Sequence, residues 1–137
     1  MKKLNRLAFL YALLAIAAGV FYREFTKFYA FTGLTMLRAM HVHLFVFGFI
    51  LFLVLALYAD RYPLLEEKKF HTFLLLWNIG LPGTVGMMLI HGILQVLGTT
   101  LSGGTAAMIA GIAGIFHLLL TIGLILLYQC CQKVLPQ

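Results

Sequence analysis

The chain has 137 residues, 63% hydrophobic and only 10% charged, and its mean hydropathy is +1.02. A soluble domain of this length needs far more polar surface, so the composition excludes one and specifies an all-α integral membrane protein. The net charge of +6 does not imply a nucleic-acid partner, because the basic residues gather at turns and ends, where they orient helices in a bilayer.

The first apolar segment covers about residues 4–22. Lys2, Lys3 and Arg6 before it, and Ala15-Ile16-Ala17 within it, imitate a signal peptide. Apolar character continues through Val20, Phe21 and Tyr22, which predicts an uncleaved helix. The second segment covers about residues 34–59, the third 70–97 and the fourth 106–129. Each is long enough to cross a bilayer. Only a helix satisfies its own backbone there, so all four are predicted helices. The connections 23–33, 60–69 and 98–105 are short and contain breakers such as Arg61-Tyr62-Pro63 and Gly103-Gly104. Short connections give a single domain, an up-down-up-down bundle.

Lys2, Lys3, Arg6, Arg61, Lys68, Lys69 and Lys133 fall on one side of that bundle, and Arg23, Lys27 and Arg38 on the other. The richer side is expected to be cytoplasmic, with both termini on it, in a multi-pass cell-membrane protein. Cys130 and Cys131 are adjacent, so they imply no disulfide framework and are expected to act as small apolar residues at a helix end. Acylation there is the alternative.

His41-Val42-His43 lies within a stretch that carries no charged residue between Arg38 and Asp60. An ionisable residue at membrane depth is expensive and marks a functional site. Residues two apart on a helix point about 200° apart, so these two imidazoles face different neighbours. Depth counted at about 1.5 Å per residue puts His41, His43 and His91 in one outer layer and His117 near the midplane. His71 is expected at the inner boundary, solvated. Zinc sites favour thiolates or four ligands, and this depth holds no cysteine, aspartate or glutamate. Heme b needs one or two imidazoles and an apolar slot, which suits Phe45, Phe47, Phe49 and the surrounding leucines. Gly48, five residues after His43, is expected to let a flat macrocycle approach the helix. The alternative for each histidine is a hydrogen bond to a backbone carbonyl.

Arg38 stands one turn outward of His41, and Arg23 lies in the first outer connection. Arg38 or Arg23 is expected to meet an anionic group at the outer interface, a propionate, which arginine matches bidentately. Snorkelling to headgroups is the alternative for Arg38 and the expected role of Lys27. Gly80, Gly83 and Gly86, with Ala107, Gly111 and Gly114, suit close helix packing. Pro82 is expected to kink the third helix, and Met87 and Met88 to fill the core. No nucleotide-binding glycine pattern and no Ser-His-Asp set is present. The absence of carboxylates from the spans weakens a transport reading.

Phe21-Tyr22-Arg23-Glu24-Phe25-Thr26, His41-Val42-His43-Leu44, Asn78-Ile79-Gly80, Thr84-Val85-Gly86-Met87-Met88, Gly92 through Gly98 and Ala110-Gly111-Ile112-Ala113-Gly114 resemble a family of small bacterial four-helix membrane proteins of unknown function. His41-Val42-His43 alone is similar to a late helix of the heme-copper oxidase catalytic subunit, in which two such histidines serve two hemes. That subunit has twelve helices in pseudo-threefold symmetry, four to each third. The resemblance implies a homotrimer in which His41 of one copy and His43 of the next grip one iron, with His91 in an accessory role. The adjacent histidines of the oxidase copper site are absent here, so oxygen reduction is not implied. The reading is a b-type heme protein for electron transfer or diatomic-gas binding, whose redox partner the sequence leaves open. The alternatives are a histidine-lined transporter or channel for a metal ion or proton, and a structural membrane protein.

Overall fold

Leu4, Ala8, Tyr11, Ala15 and Ala18 recur at three- and four-residue spacing and form the buried face of α1, Lys2–Phe28. The computed structural model describes residues 2–135. Three further helices follow: α2, Leu37–Arg61; α3, Lys68–Val96; and α4, Gly103–Val134. All four are long and apolar enough to cross a membrane. A short 3₁₀ turn, Leu64–Glu66, joins α2 to α3.

The helix ends differ from the sequence expectation for local reasons. α1 runs past residue 22, so Arg23 and Lys27 sit on its last turns and not in a loop. Nothing in Arg23-Glu24-Phe25-Thr26 breaks a helix, and the Thr26 hydroxyl donates back to the Tyr22 carbonyl at 2.8 Å. The chain then closes α1 with Phe31 N–H on Thr26 O at 2.9 Å and Ala30 N–H on Lys27 O at 3.1 Å. This pairing needs a left-handed residue, and Ala30 supplies it at φ 47°. α3 ends in the same way, with Gly98 at φ 64°. α4 starts at Gly103 because the Ser102 hydroxyl caps it, accepting from Thr105 N–H at 3.2 Å.

α2 starts three residues later than expected because its entry is pinned to α3. The Thr35 hydroxyl donates to Gly92 O at 2.9 Å, and Met36 N–H donates to the Gln95 side-chain oxygen at 2.8 Å. Leu37 then seats on bare Gly92, where a Cβ would meet the Leu37 nitrogen at 2.7 Å.

Consecutive helices pack together: α1 along α2, the first half of α2 on α3, and α3 on α4. The Tyr11 hydroxyl reaches from α1 to Asn78 on α3 at 2.9 Å, and the Tyr58 hydroxyl of α2 donates to the Cys131 carbonyl of α4 at 3.3 Å. Small residues allow the close approaches: Leu120 of α4 and the Phe116 carbonyl lie over Gly80, the Phe116 ring over Gly83, and Trp77 over Gly123. Gly86, Gly111 and Gly114 face open space. α3 stays helical through Pro82. Only 6% of the most apolar stretch of α4 is buried within the chain, against 28–33% for the other three helices. Most of α4 therefore presents a bare apolar surface.

Candidate functional site

The middle of α2 is not α-helical. Leu44–Ile50 is a seven-residue π-helix that begins directly after His43. Two tertiary contacts account for it. The Tyr11 ring presses on Gly48, and the Trp77 indole N–H donates to the Phe47 carbonyl at 2.8 Å. That bond draws the carbonyl away from its usual intrahelical donor. π turns of this kind are rare and cluster at functional sites.

His43 lies at the entrance to this turn. Its Nδ1 is 2.9 Å from Ala39 O. A carbonyl only accepts, so Nδ1 carries a proton, and in the neutral ring Nε2 keeps its lone pair. His117 on α4 repeats the arrangement, with Nδ1 2.8 Å from Ala113 O. Both imidazoles line one cleft of about 190 Å³ between α2 and α4. Phe47, Leu120 and Leu124 form its walls, and Trp77 of α3, 3% exposed, forms its floor. The Trp77 ring is held by its bond to Phe47 and by packing on Phe73, with centroids 5.3 Å apart. Anchoring one imidazole nitrogen on a carbonyl is how proteins orient the other nitrogen toward a metal.

His41 faces the other way. Its ring lies against α1 at Gly19, whose Cβ position is 3.7 Å from the His41 Cβ. Its Nδ1 is buried without a hydrogen-bond partner. The two histidines of His-x-His thus occupy opposite faces of α2, as helical spacing requires.

The other sequence-predicted residues are dispersed. Gly48 is buried beneath Tyr11, and a Cβ there would meet that ring at 2.5–2.8 Å. The approach Gly48 permits is that of α1, not that of a planar ligand. Arg23 is exposed and ion-paired with its neighbour Glu24. Arg38 is exposed at the start of α2. His71 bonds the Leu65 carbonyl at 3.1 Å near the α2–α3 turn. Among the described residues, no group of three or more histidine, cysteine, aspartate or glutamate side chains could hold a metal ion. A metal held at the His43 cleft must therefore bring most of its own ligands.

A family model described as a protein of unknown function, DUF2871, matches residues 1–134. The chain belongs to the DUF2871 family. Neither a curated relative nor a solved structure matches it.

In this DUF2871 chain, His91 does not share the His43 cleft. It lines a separate chamber of about 160 Å³ with Met87, Met88, Thr84 and His117. His117 is therefore common to both spaces, and depth counting missed the cleft it shares with His43. His117 lies eight residues further along its helix than His43 does along α2, or about 12 Å at helical rise. The count fails because the start of α2 is docked at Gly92, one turn inside the end of α3 at Val96. The available signal was the repeated spacing of alanine four residues before histidine in Ala39–His43 and Ala113–His117.

Proposed function

We propose that this chain is a membrane protein that binds heme b, with His43 as an iron ligand. The observation that carries the reading is the His43 ring itself, tied at Nδ1 to the Ala39 carbonyl and lining an apolar, aromatic-walled cleft. Heme supplies four of its iron's ligands, so one or two imidazoles suffice. When bound, it would supply one-electron chemistry or a gas-binding position. The likeness of His41-Val42-His43 to the oxidase helix favours the same ligand. The chain's own contribution is to orient imidazole, exclude water with Phe47, Trp77 and the leucines, and neutralise propionates through Arg38 at the outer end of α2.

The cleft of about 190 Å³ is smaller than the roughly 300–1,000 Å³ of ordinary small-molecule sites. A macrocycle there would project between α2 and α4 and require further cover. The bare face of α4 supports a second copy as that cover, and a closed ring such as a trimer would repeat the contact. Basic asymmetry favours cytoplasmic termini. The adjoining clefts that share His117 favour one rival, a histidine-lined path for a metal ion or proton.

The deciding experiment is the absorption spectrum of the purified full-length protein. A Soret band that His43→Ala removes, with helicity unchanged, is the expected result. A colourless protein that copurifies with zinc or copper and takes up no added hemin would overturn the heme reading in favour of transport.

A further inference from the structure

We propose that the chamber between α3 and α4 is a site for a soft monovalent metal ion, Cu(I), held by the His91 imidazole and the Met87 and Met88 thioethers. The proposal is independent of the heme reading and concerns the other of the two spaces that His117 borders.

Helical spacing assembles the donors. Met87 and Met88 precede His91 by four and three residues on α3. Side chains at those intervals are neighbours on one helix face, with Cβ atoms about 5–6 Å apart. All three line one chamber of about 160 Å³. Opposite them, α4 supplies Ala106, Ala110 and Ala113, whose short side chains leave the space open. Met36, from the segment leading into α2, adds a third thioether to the lining. The rotatable bonds of methionine let its polarizable sulfur close on an ion without backbone movement.

The donor set selects the ion. No carboxylate or thiol lines the chamber, so nothing in it offsets a double positive charge. Zinc draws its ligands from cysteine, histidine and carboxylates, and the described residues hold no cluster of three such groups. Thioether sulfur selects Cu(I), and a single charge is the least costly to bury. A further observation points to an occupant. Thr84 lines the same chamber one turn before Met87 and Met88 and is 1% exposed, yet its hydroxyl has no hydrogen-bond partner. Buried polar atoms are nearly always paired, so an unpaired one beside an open chamber favours a polar or charged occupant over a dry cavity. Binding forms Cu–S and Cu–N bonds by donation of sulfur and imidazole lone pairs. The metal stays Cu(I), and the neutral ring keeps its proton on the nitrogen that does not bind.

The test uses the full-length protein in detergent with Cys130 and Cys131 replaced by alanine, because thiolates bind Cu(I) themselves. Cu(I), kept reduced by ascorbate, is titrated against a chromophoric Cu(I) chelator. The Cys-free protein is expected to withdraw one equivalent, with sulfur and nitrogen neighbours in the X-ray absorption spectrum of the copper. Met87→Leu combined with Met88→Leu keeps the packing volume and should weaken binding about tenfold or more, a loss that even indirect partners of a metal ligand can cause. His91→Gln should weaken it similarly, and His43→Ala should leave it unchanged. A Cys-free protein that withdraws no Cu(I) overturns the proposal. A double-leucine protein that binds as tightly as its parent also overturns it, in favour of methionines that only fill the core. A copper spectrum without sulfur neighbours, or a loss of binding in His43→Ala alone, overturns it in favour of an ion held elsewhere.

Discussion

The Trp77 indole donates to the Phe47 carbonyl at 2.8 Å, and this single bond joins α3 to the π-helical turn of α2. It places an aromatic floor under the His43–His117 cleft and satisfies a carbonyl that the widened helix leaves spare. The bond is thus both a stabilising contact and the positioning element of the site.

Trp77→Phe keeps an aromatic ring and deletes the donor. An unsatisfied buried carbonyl costs about 1–3 kcal/mol, so the variant should unfold at lower denaturant by that amount. Amide exchange should accelerate selectively across residues 44–50, measured by mass spectrometry in detergent. Uniform exchange across all four helices would show that the π turn does not depend on this bond.

Gly92→Ala places a Cβ 2.7 Å from the Leu37 nitrogen, where backbone on both sides resists movement. Overpacking of this kind costs about 1–3 kcal/mol. Gly86→Ala, on the same helix with nothing within 4 Å of the new Cβ, should be neutral or slightly stabilising through helix propensity. Thermal melts of the two variants side by side check the contrast, and equal midpoints would refute it.

Ala30→Gly should stabilise the protein. Ala30 holds φ at 47° in the cap of α1, and the left-handed conformation costs an L-residue roughly 1–2 kcal/mol that glycine avoids. The greater freedom of glycine in the unfolded chain offsets part of the gain, leaving an increase of about 1 kcal/mol or less. Equilibrium unfolding reads the sign directly.

The orientation proposal gives a labelling pattern. Single cysteines placed at Lys68 and at Lys27, in a background lacking Cys130 and Cys131, should differ in intact cells. The position of Lys27 should react with a membrane-impermeant maleimide, and that of Lys68 only after permeabilisation. Labelling at Lys68 from outside would reverse the assignment.

The sequence by itself determined the four apolar helices. Segment length and hydropathy are local sums, and a backbone without water has few ways to satisfy its polar groups. It likewise determined that His41 and His43 face apart, because about 100° per residue is a property of one helix. Small-residue positions were legible as a class, but their use was not: Gly80, Gly83 and Gly92 receive neighbours, while Gly86, Gly111 and Gly114 do not. Tertiary structure alone decided that His43 shares a cleft with His117 and not with His91, because axial stagger between helices is set by where Leu37 docks on Gly92. It alone decided the π turn as well. Nothing within Leu44–Ile50 widens a helix on its own; the pull of Trp77 on Phe47 and the press of Tyr11 on Gly48 come from helices distant in sequence.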